Sequence, residues 1–260
     1  MSRIGIFDSG VGGLTVQKAI LSQVPAVDTV YLGDTARVPY GTKSPEVVTQ
    51  YSLRNGRFLM ERGIDLLVVA CNTASAVTSG AIEPPVPLWG VLQPGARRAA
   101  RLSRGRVGVI ATESTIASDA YGKELRRLRP ELEVVSMACP LFVPLVEEGW
   151  HDDPVAREVA RRYLEPLRDG GIDTLVLGCT HYPLLRRVIA EVVGDGVQLV
   201  DSAEAVAEVV AEDLAHQGLL TDGAGAPEHH FCVTDAGDRF ARIGAIFLGA
   251  ERLSLEWVDV

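Results

Sequence analysis

Lysine is nearly missing from this chain: among 260 residues it occurs only at positions 18, 43 and 123. A pyridoxal-phosphate enzyme needs a lysine for its Schiff base and a phosphate cradle nearby. Lys18 falls inside a predicted helix, Lys43 in a loop, and Lys123 has no glycine-rich loop beside it, which argues against that chemistry. Cysteine is sparse too. Cys71, Cys139, Cys179 and Cys232 lie far apart and form no Cys-x-x-Cys pair, so a disulfide scaffold is not expected. No apolar run reaches the roughly 18–20 residues that cross a bilayer. The opening Met-Ser-Arg-Ile-Gly-Ile-Phe lacks the layout of a signal peptide, so a cytoplasmic location is expected. Positive charge is in deficit, with 25 Lys and Arg against 34 Asp and Glu and a net charge of -9. Such a chain is a poor general binder of nucleic acid, and the arginines at 97, 98, 101, 104, 106, 126 and 127 read as solvated helix faces.

What the chain does have is short runs rich in Val, Ile and Leu, at residues 3–7, 65–70, 106–111 and 173–178, alternating with amphipathic stretches. The runs read as buried parallel strands and the stretches as crossover helices, an α/β pattern.

Within that pattern lies a repeat. Gly63-Ile64-Asp65-Leu66-Leu67-Val68-Val69-Ala70-Cys71-Asn72-Thr73 matches Gly171-Ile172-Asp173-Thr174-Leu175-Val176-Leu177-Gly178-Cys179-Thr180-His181 at an offset of 108. At the same offset, strand-like Gly90-Val91-Leu92 matches Gln198-Leu199-Val200. Earlier, Arg3-Ile4-Gly5-Ile6-Phe7-Asp8-Ser9 resembles Arg106-Val107-Gly108-Val109-Ile110-Ala111-Thr112 at an offset of 103. Two similar α/β units follow, each with a cysteine just after a buried strand. The expected division is residues 1–95 with 205–260, and residues 96–204. The tail beyond the second unit holds a strand candidate at 229–234, an amphipathic stretch at 238–248 and an apolar end at 253–258, and is expected to pack back on the first unit. Residues 221–227 read as an exposed loop.

Ligands of open α/β sheets sit beyond the carboxyl ends of the strands, where Cys71 and Cys179 both fall. If the units face each other, two thiols address opposite sides of one ligand. Inverting a carbon that bears hydrogen needs such a pair: one group removes the proton from one face, the other returns a proton to the opposite face. The polar followers Asn72-Thr73 and Thr180-His181 are expected at helix N-termini, where N–H groups favour a carboxylate or thiolate. Alternatively, Thr73 and Thr180 are caps. His181 can exchange a proton near neutral pH. Cys139 and Cys232 read as small buried hydrophobes. A metal reading finds at most three ligands in Cys71, Cys179 and His181, short of a closed site, so no metal is expected.

Two further segments bear polar groups. Asp8-Ser9-Gly10-Val11-Gly12-Gly13 follows the first strand but does not satisfy Gly-x-Gly-x-x-Gly. Asp8 reads as a partner for a substrate ammonium, a proton relay, or a cap. The stretch 31–44 suits a binding loop, with Ser44-Pro45-Glu46 as a helix start. In Phe142-Val143-Pro144-Leu145-Val146-Glu147-Glu148 an acid stands beside apolar residues, either tuned by them or at a solvated helix end.

Together, residues 7–15, 31–41, 69–75, 142–149 and 178–185 resemble the glutamate racemases of the cofactor-independent aspartate/glutamate racemase superfamily. The resemblance implies two pseudo-symmetric α/β domains with mainly parallel sheets and the substrate between them. It implies Cys71 and Cys179 as proton donors and acceptors assisted by Asp8 and His181. Substrate contacts come from Asp8, Ser9, Tyr40, Gly41, Asn72, Thr73, Thr180 and His181, with Asp34 and Glu147 as auxiliary acids. It implies no cofactor, glutamate as the small-molecule substrate, D-glutamate for peptidoglycan synthesis, and a homodimer. Inhibition of DNA gyrase, reported for some members, has no support in these residues. Racemization of aspartate, or a silent binding member of the fold, stays open at this point.

Overall fold

The computed structural model describes residues 2–78, 80–220, 226–235, 237–249 and 253–260. Of the expected loop 221–227, positions 221–225 lie outside them. The strands are β1 (Arg3–Asp8), β2 (Asp28–Gly33), β3 (Leu66–Val69), β4 (Leu88–Gly90) and β5 (Arg106–Ala111). They continue as β6 (Glu133–Ala138), β7 (Thr174–Gly178), β8 (Gln198–Asp201), β9 (His229–Val233) and β10 (Leu255–Trp257). They form two parallel sheets, ordered β10-β9-β2-β1-β3-β4 and β6-β5-β7-β8.

The segment β2-β1-β3-β4 of the first sheet has the same order as the whole second sheet, so the sequence repeat is a repeat of topology. Phe7 pairs with Val69 as Ile110 pairs with Leu177. The match for the following strand needs correction. Val69 pairs with Gly90 and Leu177 with Asp201, so the structural equivalents are Gly90 and Asp201, not Gly90 and Gln198. The connection leading into β8 is three residues longer, which an offset read from apolar letters cannot register.

The central strands are apolar throughout because helices cover both faces. Ile4, Ile6, Leu66, Val68, Leu175 and Leu177 are fully buried, each contributing about 1.5–3 kcal/mol of transfer free energy. Local chemistry sets the helix starts. Ser44 accepts from the Val47 N–H with Pro45 in the first turn of Pro45–Glu61, and Asp153 caps Pro154–Asp169 likewise.

Two helices bind the halves together. Leu92–Leu102 leaves the first sheet and packs on β7, β8 and helix Ala120–Leu128. Ser202–His216 leaves the second sheet and packs on helix Leu14–Gln23. One buried cluster therefore runs from Ile4, Leu14 and Ile20 through Val206 and Val210 to Leu177 and Tyr182. The tail strands β9 and β10 extend the first sheet beyond β2, and helix Gly237–Leu248 lies against helix Leu14–Gln23. Among the described residues, no helix is long and apolar enough to cross a membrane.

Candidate active site

Strands β3 and β7 end one residue apart in pattern: Val69, Ala70, then Cys71; Gly178, then Cys179. Both cysteines are thus delivered to the carboxyl edge of their sheets. They line a single cleft of about 430 Å³ between the two sheets, together with Ser9, Tyr40, Gly41, Asn72, Thr73, Thr112, Glu147, Thr180, His181 and Arg239. Each cysteine residue is only 6% exposed and lines this cleft, so a reagent reaches it from there.

The two sulfurs have different neighbours. The Cys71 thiol lies 3.7 Å from the Ser9 hydroxyl. Burial, then the negative charge of Asp8, push its pKa up to about 12. Asp8 is itself buried; one carboxylate oxygen accepts the Gly10 N–H at 2.9 Å, while Oδ1 has no hydrogen-bond partner among the described residues. Burial raises the Asp8 pKa against the opposing pull of the His181 charge and nearby N–H groups. Asp8 stands behind Ser9 and Cys71 rather than in the cleft wall.

On the other side, the Cys179 sulfur is 3.9 Å from His181 Nδ1, and His181 Nε2 is 3.1 Å from Glu147 Oε1. Burial alone would keep this ring neutral. Hydrogen bonds to Cys179 and Glu147, with their charges, outweigh it and push the pKa up to about 10. Burial raises the Glu147 pKa, but His181 and Arg239 more than reverse that and leave it lowered. Folding lifts the ring from 6.5 to about 10 through Cys179 and Glu147 and lowers the Glu147 carboxyl from 4.5, so the pairing stabilises the fold in full between about pH 4.5 and 6.5, fading below as Glu147 protonates and above as pH climbs through 10. A Glu147→Gln variant should therefore lose most stability, relative to the parent, near about pH 6 and little near about pH 10. Urea midpoints at both values check this; an equal loss at both would contradict it.

The remaining residues are fixed by polar contacts that cross the cleft. Thr73 Oγ1 lies 3.0 Å from Thr112 Oγ1 and 3.1 Å from Thr115 Oγ1. Asn72 accepts from Tyr121 at 2.7 Å and donates to Ser202 at 3.4 Å. Thr15 donates to the Thr180 carbonyl at 3.0 Å. Gly41 sits so close to Thr112 that a Cβ there would be 2.8 Å from Thr112 Cβ, which is why this loop carries no side chain at that point.

Two expectations need correction. Helix Asn72–Thr78 begins just after Cys71, but after Cys179 the chain makes a short 3-10 turn at Tyr182–Leu185 before helix Arg186–Val193. Tyr182 N–H bonds the Cys179 carbonyl and Leu184 N–H the His181 carbonyl, while Pro183 supplies no N–H. Thr180-His181 therefore precede a tight turn, not an α-helix. Asp34, expected as an auxiliary acid, does not reach the cleft. It is buried behind Tyr40, whose hydroxyl donates to it, and accepts from Arg37 at 3.0 Å and Thr234 at 3.1 Å. Its contacts hold Tyr40 in place, with Asn55 donating to the same phenol at 3.1 Å. Burial, then Asp34, push the Tyr40 pKa above its ordinary value.

Sequence reasoning did not single out Thr112 or Arg239. Thr112 had a signal, since it stands opposite Ser9 in the repeat; Arg239 had none. Cys139 and Cys232 are fully buried and do not line the cleft. Among the described residues, no group of three or more His, Cys, Asp or Glu is arranged to hold a metal ion.

The family model for Asp/Glu/hydantoin racemases matches residues 4–210. The chain belongs to that family. Among this racemase's relatives is the glutamate racemase of Geobacter metallireducens, 59% identical over 95% of this chain and 93% of the relative. Among solved structures, glutamate racemase isoform RacE1 of Bacillus anthracis superposes with a TM-score of 0.95 at 40% identity, covering 100% of this chain and 98% of that one. The glutamate racemase of Francisella tularensis, in complex with D-glutamate, gives 0.93 at 36% identity, covering 99% and 97%.

Proposed function

We propose that this racemase interconverts L- and D-glutamate with two cysteines and no cofactor. The carrying observation is that Cys71 and Cys179, one from each half of the repeat, line one cleft from opposite sheets. The likeness to glutamate racemases, one of them holding D-glutamate, supports glutamate as the substrate. The cleft volume of about 430 Å³ falls in the range of small-molecule sites.

One cysteine, as thiolate, takes the α-proton, and the other, as thiol, gives its proton to the opposite face of the planar carbanion. One C–H bond breaks and one forms, and the sulfurs exchange protonation states. Reversal uses the same atoms in the opposite roles. Asp8 and His181 assist Cys71 and Cys179 respectively. The substrate ammonium, entering beside Ser9, offsets the Asp8 charge and lets the Cys71 thiol release its proton more readily than in the empty site. Tyr40, Gly41, Asn72, Thr73 and Thr180 hold the carboxylates, with Asn72 N–H at the start of its helix. The two domains that enclose the substrate are residues 1–95 with 205–260 and residues 96–204. The product, D-glutamate, serves peptidoglycan synthesis in the cytoplasm, and the working form is a homodimer.

Polarimetry on a panel of acidic amino acids tests the reading. Glutamate of either hand should be racemized and aspartate should not, at a rate that chelators leave unchanged. Rapid racemization of aspartate alone, or a chelator-sensitive rate restored by metal, would overturn it.

A further inference from the structure

Helix Gly237–Leu248 lies beyond residue 210, where the family match ends, yet it reaches the catalytic side of the second sheet at two points. Near its start, the Arg239 guanidinium donates to Glu147 Oε2 at 2.8 Å. Near its end, the Phe247 ring stands almost perpendicular to the His181 imidazole, with centroids 5.6 Å apart. The helix itself is anchored on the first sheet's side, against helix Leu14–Gln23, with Lys18 donating to the Phe247 carbonyl at 3.3 Å. Glu147 and His181 belong to segments that follow β6 and β7. The tail of the chain thus spans the cleft and grips the His181–Glu147 pair from the opposite half.

We infer that Arg239 is a positioning residue for proton transfer at Cys179: it holds Glu147 so that Glu147 Oε1 fixes the His181 ring with Nδ1 toward the sulfur. Glu147 has two carboxylate oxygens, and each is committed, one to His181 and one to Arg239. Remove the arginine and the carboxylate is free to rotate about its stem, taking the imidazole out of line. The Arg239 side chain is 56% exposed against 18% for Glu147, so its ion pair adds little to stability. Its value is geometric, because it ties the Glu147 carboxylate to a helix anchored on the other half. Its contact runs through Glu147 and His181 to Cys179, so the effect is expected on that side of the cleft.

This inference rests on the two-cysteine reading, and one-sidedness is what tests it. A weakened Cys179 makes proton removal by Cys179 rate-limiting in one direction and proton delivery by Cys179 rate-limiting in the other. The primary isotope effect on kcat/KM with α-deuterated glutamate should then rise for one enantiomer and fall for the other. We expect Arg239→Met to split the two effects in this way, with kcat/KM down about tenfold. Arg239→Lys should bring both back toward the parent values. Glu147→Gln should split them in the same sense, and Ser9→Ala, which touches Cys71, in the opposite sense. If Glu147→Gln splits the effects and Arg239→Met leaves them equal to the parent, the role of Arg239 is refuted and the two-cysteine reading stands. If neither Glu147→Gln nor Ser9→Ala splits them, the two-cysteine reading falls and this inference falls with it.

Discussion

Replacing either Cys71 or Cys179 with alanine is expected to stop racemization while the protein stays folded. In the proposed route each sulfur is the group that exchanges a proton with one face of the α-carbon. A positioned acid–base group contributes roughly 10²–10⁴-fold, and losing one leaves no route to the other face, so a fall of at least ~10³-fold is expected. The structural cost is small. Both side chains are nearly buried and lose only a thiol, which destabilises by about 1 kcal/mol. Each variant should also keep one half-reaction. The surviving cysteine still removes the proton from the enantiomer it faces, so Cys71→Ala should exchange the α-hydrogen of one enantiomer with solvent and Cys179→Ala that of the other. Polarimetric rates with thermal melts check the first part, and proton spectra in heavy water the second. Full activity in either variant, or exchange confined to the same enantiomer in both, would contradict the account.

Gly12→Ala is expected to cost activity far out of proportion to its size. Gly12 lies in the loop after β1, pressed against the motif of the other sheet. A Cβ there would fall 2.2 Å from Thr180 Oγ1 and 2.6 Å from both Cε1 and Nδ1 of His181. Thr180 can turn away, but the ring cannot retreat freely, since Glu147 and Phe247 hold it. It must shift, and the 3.9 Å approach of Nδ1 to Cys179 opens. A misplacement on the order of 1 Å costs about 100-fold in rate, and overpacking about 1–3 kcal/mol of stability. Gly56→Ala provides the comparison. Its Cβ would meet Leu67 at an ordinary 3.6 Å inside helix Pro45–Glu61, so activity should be retained. Equal activity in the two variants would show that the loop does not seat the imidazole.

The sequence made the cysteine pair legible because two local signals coincided. An all-apolar run marks a strand covered on both faces, and an offset of 108 puts Cys71 and Cys179 at the same end of such runs. The backbone then has little freedom over where those sulfurs go. What depends on distant contacts was not legible. The motif put two acids side by side and only the resemblance favoured Glu147; helix Phe142–Glu147 turns that residue toward His181 and leaves Glu148 exposed. Asp34 follows β2 while Asp8 ends β1, yet Tyr40, Arg37 and Thr234 enclose Asp34, and those partners lie up to 200 residues away. Arg239 meets Glu147 across 92 residues of chain, with no periodicity to announce it. The 3-10 turn after Cys179 was missed because the repeat suggested a second copy of helix Asn72–Thr78, whereas Pro183 imposes a different start.

The bookkeeping of a single hydrogen tests the account most directly. L-glutamate converted in heavy water, stopped after a few per cent turnover, should yield D-glutamate carrying deuterium at the α-carbon in nearly every molecule, while the unconverted L-glutamate stays almost unlabelled. Sulfurs on opposite faces require that outcome, because the proton delivered is never the one removed. Product that retains the substrate's own α-proton would mean that one group serves both faces, and the paired arrangement of Cys71 and Cys179 would not be the source of the inversion.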